Sequence, residues 1–191
     1  MYDGAMNPDA VTPSLAPTLL LSMPQLVDPN FARAVVLLCE HTPEGAFGLV
    51  VNRPSGTDAF DAVELVPPPS RNSGLSLWVG GPVEPQRGWI LLGEEPADLG
   101  ALRVVDGVYL STSPDLLRHL IETGAGRTRV LTGYAGWGPG QLDDELAASA
   151  WLTSDVEPDL IFDTPPDRMW EEAIRRLGAD PALLQVGHGV H

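Results

Sequence analysis

Cys39, Glu40 and His41 stand side by side, the one place in this chain where a thiol, a carboxylate and an imidazole adjoin. Together such groups can make an activated nucleophile or part of a metal site. In an extended strand side chains alternate, which places Cys39 and His41 on one face and Glu40 on the other. That spacing strains a direct cysteine–histidine dyad. A cysteine in an apolar strand most simply acts as a small buried hydrophobe; a redox-sensing thiol and a nucleophile are the functional alternatives. Zinc would need partners from His119, His188 and His191, which are scattered, and no paired-cysteine spacing exists, so no metal is expected.

A second group is Arg33 with Asn52 and Arg53. If a hairpin closes on His41 and Ala46, Cys39 and Arg53 are about five pairs apart, on the order of 17 Å at strand rise. The same register makes Arg33 and Arg53 neighbours at its open end. Like charges there require something negative, either a carboxylate of the protein or a bound anion. Gly80-Gly81-Pro82, with Arg87 nearby, reads as a tight turn or as a nest of amides for an anion. The stretch from Gly133 to Glu145 has glycines at 133, 136, 138 and 140, out of G-x-G-x-x-G order, and Asp143, Asp144 and Glu145 would repel phosphate. It is therefore a strand-to-helix junction and not a phosphate loop. Trp137 within it is either a contact platform or a core residue.

The elements that must position these groups follow from pattern. Thr18 to Ser22 reads as a strand. Ala34 to Glu40 and Phe47 to Asn52 form a hairpin around Thr42-Pro43-Glu44-Gly45, apolar on both faces and so covered on both. Further strands are expected at Leu75 to Val79, Gly88 to Leu92, Gly107 to Leu110 and Arg129 to Tyr134. Helices are expected at Asp58 to Leu65, at Pro114 to Thr123 behind the Ser113 cap, at Gln141 to Leu152 and at Pro166 to Leu177, closed by Gly178. Grouped strands followed by late helices favour α+β. Residues 1 to 14 read as a flexible tail, and 15 to 191 as one domain.

Composition narrows the chemistry. Net charge is -15, from 26 acidic against 11 basic residues, which opposes capture of nucleic acid or an anionic membrane. All basic residues are arginine, so a Walker lysine, an internal-lysine Schiff base and a kinase strand lysine are excluded. The single cysteine suits a reducing cytoplasm, and no secretory signal or membrane span is expected.

Three stretches, FARAVVLLCEHTPEGAFGLVVNRP, WVGGPVEPQRGWILL and GYAGWGPGQLDDELAASAWL, resemble the AlgH/YqgE family of bacterial proteins, over about Leu19 to Trp151 and more weakly through FDTPPDRMWEEAIRRLG. The resemblance implies an α+β fold with a mixed, largely antiparallel bifurcated sheet, part of it a small barrel, surrounded by helices. It carries over Glu40, His41, Asn52, Arg53, Pro54, Gly80, Gly81, Pro82, Gly136, Trp137, Gly140, Gln141 and Glu145 as a functional surface. Thr42 and Phe47 depart from the family's frequent asparagine and methionine. The resemblance brings an association with alginate regulation, with no settled catalytic activity or agreed binding partner. The leading expectation is a cytoplasmic binding or regulatory module, touching transcription only indirectly, with a protein or small-molecule partner and no cofactor. The alternative is a hydrolase using Asp144 or Glu145 with His41, with or without a metal. Oligomeric state stays open.

Overall fold

The computed structural model describes residues 14–26, 28–124 and 126–185. The N-terminal tail lies outside them apart from Ser14, as do His188 and His191. Strands β1 (Thr18–Ser22), β2 (Val35–Thr42) and β3 (Gly45–Val50) pair antiparallel in succession, and β10 (Trp151–Ser154) is added at the free edge of β1. Leu19, Leu21, Val35, Leu37 and Leu49 turn to one side, into a core completed by Leu160, Ile161, Met169, Trp170 and Ile174. Those partners come from helices α4 (Pro158–Asp163) and α5 (Pro166–Arg176). The alternate residues Leu20, Val36, Leu38 and Val50 turn the other way, against Trp137, Leu142 and Trp151. Burial on both faces is what the unbroken valine and leucine runs require.

The sheet divides on β9 (Thr128–Trp137). One edge of β9 pairs antiparallel with β6 (Val83–Leu92). The other edge is shared: Val130 to Thr132 pair in parallel with β5 (Ser76–Val79), and Ala135 to Trp137 pair antiparallel with β3. At the fork, Gly80 N donates to Thr132 O at 2.8 Å while Gly80 O accepts from Val50 N at 2.7 Å, so one residue ties both arms together. Side chains are excluded there. A Cβ on Gly80 would sit 2.4 Å from Gly133 O, and one on Gly81 would sit 2.1 Å from the Tyr134 carbonyl carbon.

Beyond β6 the sheet continues through β8 (Val108–Ser111) to β7 (Leu102–Val105), and β4 (Pro54–Asp58) borders β5. Helix α1 is Ala59–Ala62. Helix α2 (Pro114–Thr123) starts on Ser113, whose Oγ accepts from Leu116 N at 3.2 Å, and its Leu120 and Ile121 cover the outer face of β5, β6 and β9. Helices α3 (Gln141–Ala147) and α6 (Pro181–Gln185) complete a curled, half-barrel antiparallel sheet with helices around it, an α+β fold. The β5–β9 pair makes the sheet mixed.

Several boundaries differ from the sequence reading. The helix expected to reach Leu152 stops at Ala147, where Ser149 adopts φ 57 and turns the chain so that Trp151 and Leu152 enter β10. The strand expected to end at Tyr134 runs on to Trp137 because β3 supplies a second partner. Strand β4, PSGTD, has no apolar alternation and exists through its pairing with β5.

Candidate functional site

The β2–β3 register jumps after Leu38: Leu38 faces Gly48 and Glu40 faces Phe47, leaving Cys39 as an extra residue. Such a bulge reverses the alternation beyond it. Cys39 and Glu40 consequently line the same cleft, whereas His41 turns toward α3. The expectation that Cys39 and His41 share a face is corrected by this one inserted residue. His41 is buried, its Nδ1 accepting from Leu15 N at 3.1 Å and its Nε2 lying 3.2 Å from an Asp143 carboxylate oxygen. Both ring nitrogens are engaged, with none turned to a substrate.

Cys39 sits in the floor of the cleft, half-buried by surface yet closely hemmed by protein, and its Sγ donates to Leu37 O at 3.5 Å. Burial, with a smaller contribution from the Glu40 charge, pushes the thiol up to about 12. Since the thiolate is the reactive form, labelling with a disulfide reagent near neutral pH is expected to run on the order of 10³-fold slower than for an ordinary exposed thiol. Stopped-flow labelling of native and denatured chain checks this; a native rate equal to the denatured one would contradict it.

Glu145, from α3, sits beneath two indoles. Its Oε2 accepts from Trp137 Nε1 at 2.8 Å and from Trp151 Nε1 at 2.7 Å, and its Oε1 accepts from Gln141 Nε2 at 3.1 Å. Gln141 Oε1 accepts in turn from Gly138 N at 3.0 Å. Phe31 stacks beside Trp137 at 6.5 Å and meets Trp151 edge-on at 5.7 Å. The Trp137 ring is turned into the core, and this group pins the β9–α3 junction to β10.

Asn52 closes the open end of the hairpin where strand pairing stops. Its Oδ1 accepts from Val35 N at 3.0 Å, and its Nδ2 donates to Arg33 O at 2.9 Å, holding Arg33 at φ 52. The Arg33 guanidinium lies 5.4 Å over Trp170 and 3.5 Å from Glu171, while Arg53 donates to Ala32 O. Burial lowers the Arg53 pKa from its ordinary value. These residues border a cleft of about 470 Å³ with Asp167. On the Arg33 side, Glu171 provides the negative partner that the paired arginines demanded. Gly80 and Gly81 lie at the sheet fork, with the Gly80 amide committed to Thr132 O.

A further concavity, of about 650 Å³, lies where β2, β3, β6 and β9 converge. Phe47, Trp89 and Tyr134 form its aromatic wall, with ring centroids 4.9, 5.2 and 6.2 Å apart, and Leu102, Leu110 and Val83 extend it. Arg87 lies over Trp89, and the Glu84 carboxylate, accepting from the Tyr134 hydroxyl, pushes that phenol above its ordinary value. The sequence reading missed this wall: its three rings come from strands far apart in the chain, and only their recurrence within the resemblance stretches hinted at it. Arg53, Trp137 and Glu145 do not line a common concavity; Trp137 borders the large cleft, Arg53 the small one, and Glu145 neither. Among the described residues no three His, Cys, Asp or Glu side chains could share a metal ion, and no helix is long and apolar enough to cross a membrane.

Comparison with known proteins agrees with this architecture. The AlgH-like family matches residues 19–182. A UPF0301 protein of Myxococcus xanthus is 39% identical over 185 residues, covering 93% of this chain and 99% of its own. A UPF0301 protein of Stutzerimonas stutzeri is 43% identical over 177 residues, covering 88% and 93%. The solution structure of the AlgH protein from Pseudomonas aeruginosa superposes with a TM-score of 0.72 at 38% identity, covering 91% of this chain and 94% of that one. A family match spanning most of the chain, relatives of this identity along nearly their whole length and a shared fold lead to one conclusion: the chain belongs to the AlgH-like family.

Proposed function

We propose that the protein is a cytoplasmic binding module that exerts any regulatory effect, including on transcription, indirectly through what it binds, and that its ligand docks in the Phe47–Trp89–Tyr134 cleft. One observation carries the reading: this cleft combines an aromatic wall, exposed apolar residues Leu102 (55%) and Val83 (36%), and a few polar groups. That combination is typical of a ligand site. The net charge of -15 argues against direct nucleic-acid contact. A hydrolase built on His41 with Asp144 or Glu145 has less behind it, because His41 has both nitrogens engaged and Glu145 is occupied by two indoles.

The test uses the neutral apolar dye N-phenyl-1-naphthylamine. Its fluorescence is expected to rise saturably with the native chain, and Leu102→Glu is expected to weaken binding about fivefold, the loss of one partly covered aliphatic contact. Equal binding by both proteins, with equal denaturation midpoints, would place the dye elsewhere and overturn the reading.

A further inference from the structure

The aromatic cleft already holds a cation from its own chain. The Arg87 guanidinium carbon lies 4.6 Å from the Trp89 ring centroid and 6.0 Å from that of Tyr134, and its Nη1 is 3.3 Å from a Glu84 carboxylate oxygen. The two side chains of that ion pair are 52% and 56% exposed, so the pair itself holds Arg87 weakly. The segment carrying both is looped out of the ladder. Val83 faces Tyr134 and Gly88 faces Thr132, so residues 84 to 87 stand opposite Gly133 alone, and Glu84 adopts φ 44. Lacking strand partners, this excursion can swing aside without breaking the β6–β9 pairing on either side of it.

Three carboxylates stand around the wall. Glu40 and Glu44 border the cleft directly, both exposed, and Glu84 reaches it through Arg87 and Tyr134. Arg87 is the cation among the residues bordering the cleft. A planar guanidinium gains from an aromatic face and from nearby carboxylates at once, and Arg87 demonstrates that the cleft accommodates that group. Removing Arg87 would free both the Trp89 face and Glu84.

We infer that the ligand class is a basic peptide segment presenting an arginine, and that Arg87 is an intramolecular competitor which the incoming guanidinium displaces. The inference rests on the docking cleft proposed above. Competition of this kind lowers apparent affinity by the fraction of time the cleft is open. Glu84, released from Arg87, becomes a partner for the arriving side chain.

Calorimetric titration of the full chain at low salt, with an acetylated and amidated peptide Ser-Leu-Arg-Leu-Ser, tests this directly. Arg87→Ala is expected to bind about tenfold more tightly than the native chain, because the competitor is gone. The same peptide with citrulline, a neutral isostere, is expected to bind about tenfold more weakly, and Glu40→Gln with Glu44→Gln to lose affinity as well. A matching denaturation midpoint for Arg87→Ala, an exposed residue, confirms that it folds. Equal or weaker binding by Arg87→Ala, equal binding of the citrulline peptide, or no binding of the arginine peptide to either protein would overturn the inference. If the neutral dye still binds in a Leu102-sensitive way while the arginine peptide does not, the docking cleft stands and the arginine assignment alone fails.

Discussion

Gly81→Ala is expected to abolish or nearly abolish folding. A Cβ there would lie 2.1 Å from the Tyr134 carbonyl carbon, 2.2 Å from its oxygen and 2.5 Å from Ala135 N, all backbone atoms of β9. A side chain can rotate out of a clash; a strand paired on both edges cannot. Gly81 also has φ 154, a conformation L residues rarely adopt. Relief would push β9 away from the fork and break the Gly80 bonds to Thr132 and Val50, which join the two arms of the sheet. Overpacking against backbone combined with a forced dihedral belongs to the class of substitutions costing more than about 4 kcal/mol, a large share of the roughly 5–15 kcal/mol that holds a domain folded. Soluble yield and the urea midpoint measure the effect. Gly88→Ala is the internal control: Gly88 lies in β6, near the same fork, has an ordinary φ and no heavy atom within 4 Å of an added Cβ, so its midpoint is expected to stay put. A Gly81→Ala protein as stable as Gly88→Ala would show that the close approach is not required.

Glu145→Ala is expected to destabilise the fold strongly. The carboxylate accepts from the indole N–H groups of Trp137 and Trp151, residues that are only 7% and 3% exposed. Its removal strands two buried donors, each costing about 1–3 kcal/mol, for a combined loss of roughly 2–6 kcal/mol. It also frees Gln141, which otherwise holds Gly138 N across the junction. Glu145→Gln should lose less. Its single carbonyl oxygen can serve both indoles, but its amide would then face the Gln141 amide, donor against donor. The expected order of midpoints, native above Glu145→Gln above Glu145→Ala, is read from denaturation followed by tryptophan fluorescence. Asp144→Ala, exposed on the same helix, is expected to fall near the native value. An alanine variant at 145 with native stability would mean that water replaces the carboxylate without cost, and would return Glu145 to the list of residues free for function.

Much of the framework could be read along the chain. The turn at Pro43-Glu44 set the hairpin so that His41 does pair with Ala46, and the Ser113 cap with Pro114 and Gly124 bounded α2 where it lies. These signals are local: a tight turn restricts its own dihedrals, and a cap satisfies amides within one helical turn. The continuous apolar runs likewise announced a sheet covered on both faces. The bulge at Cys39 left no such mark. An alternating reading carried Cys39 and His41 to one face, and a single unpaired residue sent them to opposite ones. Strand β4 was invisible for a related reason, since PSGTD is ordered by the neighbour it pairs with and not by its own pattern.

The candidate site divides in the same way. The sequence by itself determined the chemical inventory: one cysteine, no lysine and an acidic balance. It also determined that Gly133 to Glu145 would run from strand to helix, as it does from β9 into α3. Only the tertiary structure decided that Trp137 and Glu145 bond to each other and to Trp151, that Asn52 spends its side chain on the backbone of Arg33 and Val35, and that Phe47, Trp89 and Tyr134 form one wall. Periodicity and capping act over a few residues and so can be read from neighbours. Register, bulges and the meeting of rings from β3, β6 and β9 depend on burial summed over the whole sheet, which no short stretch of the chain contains.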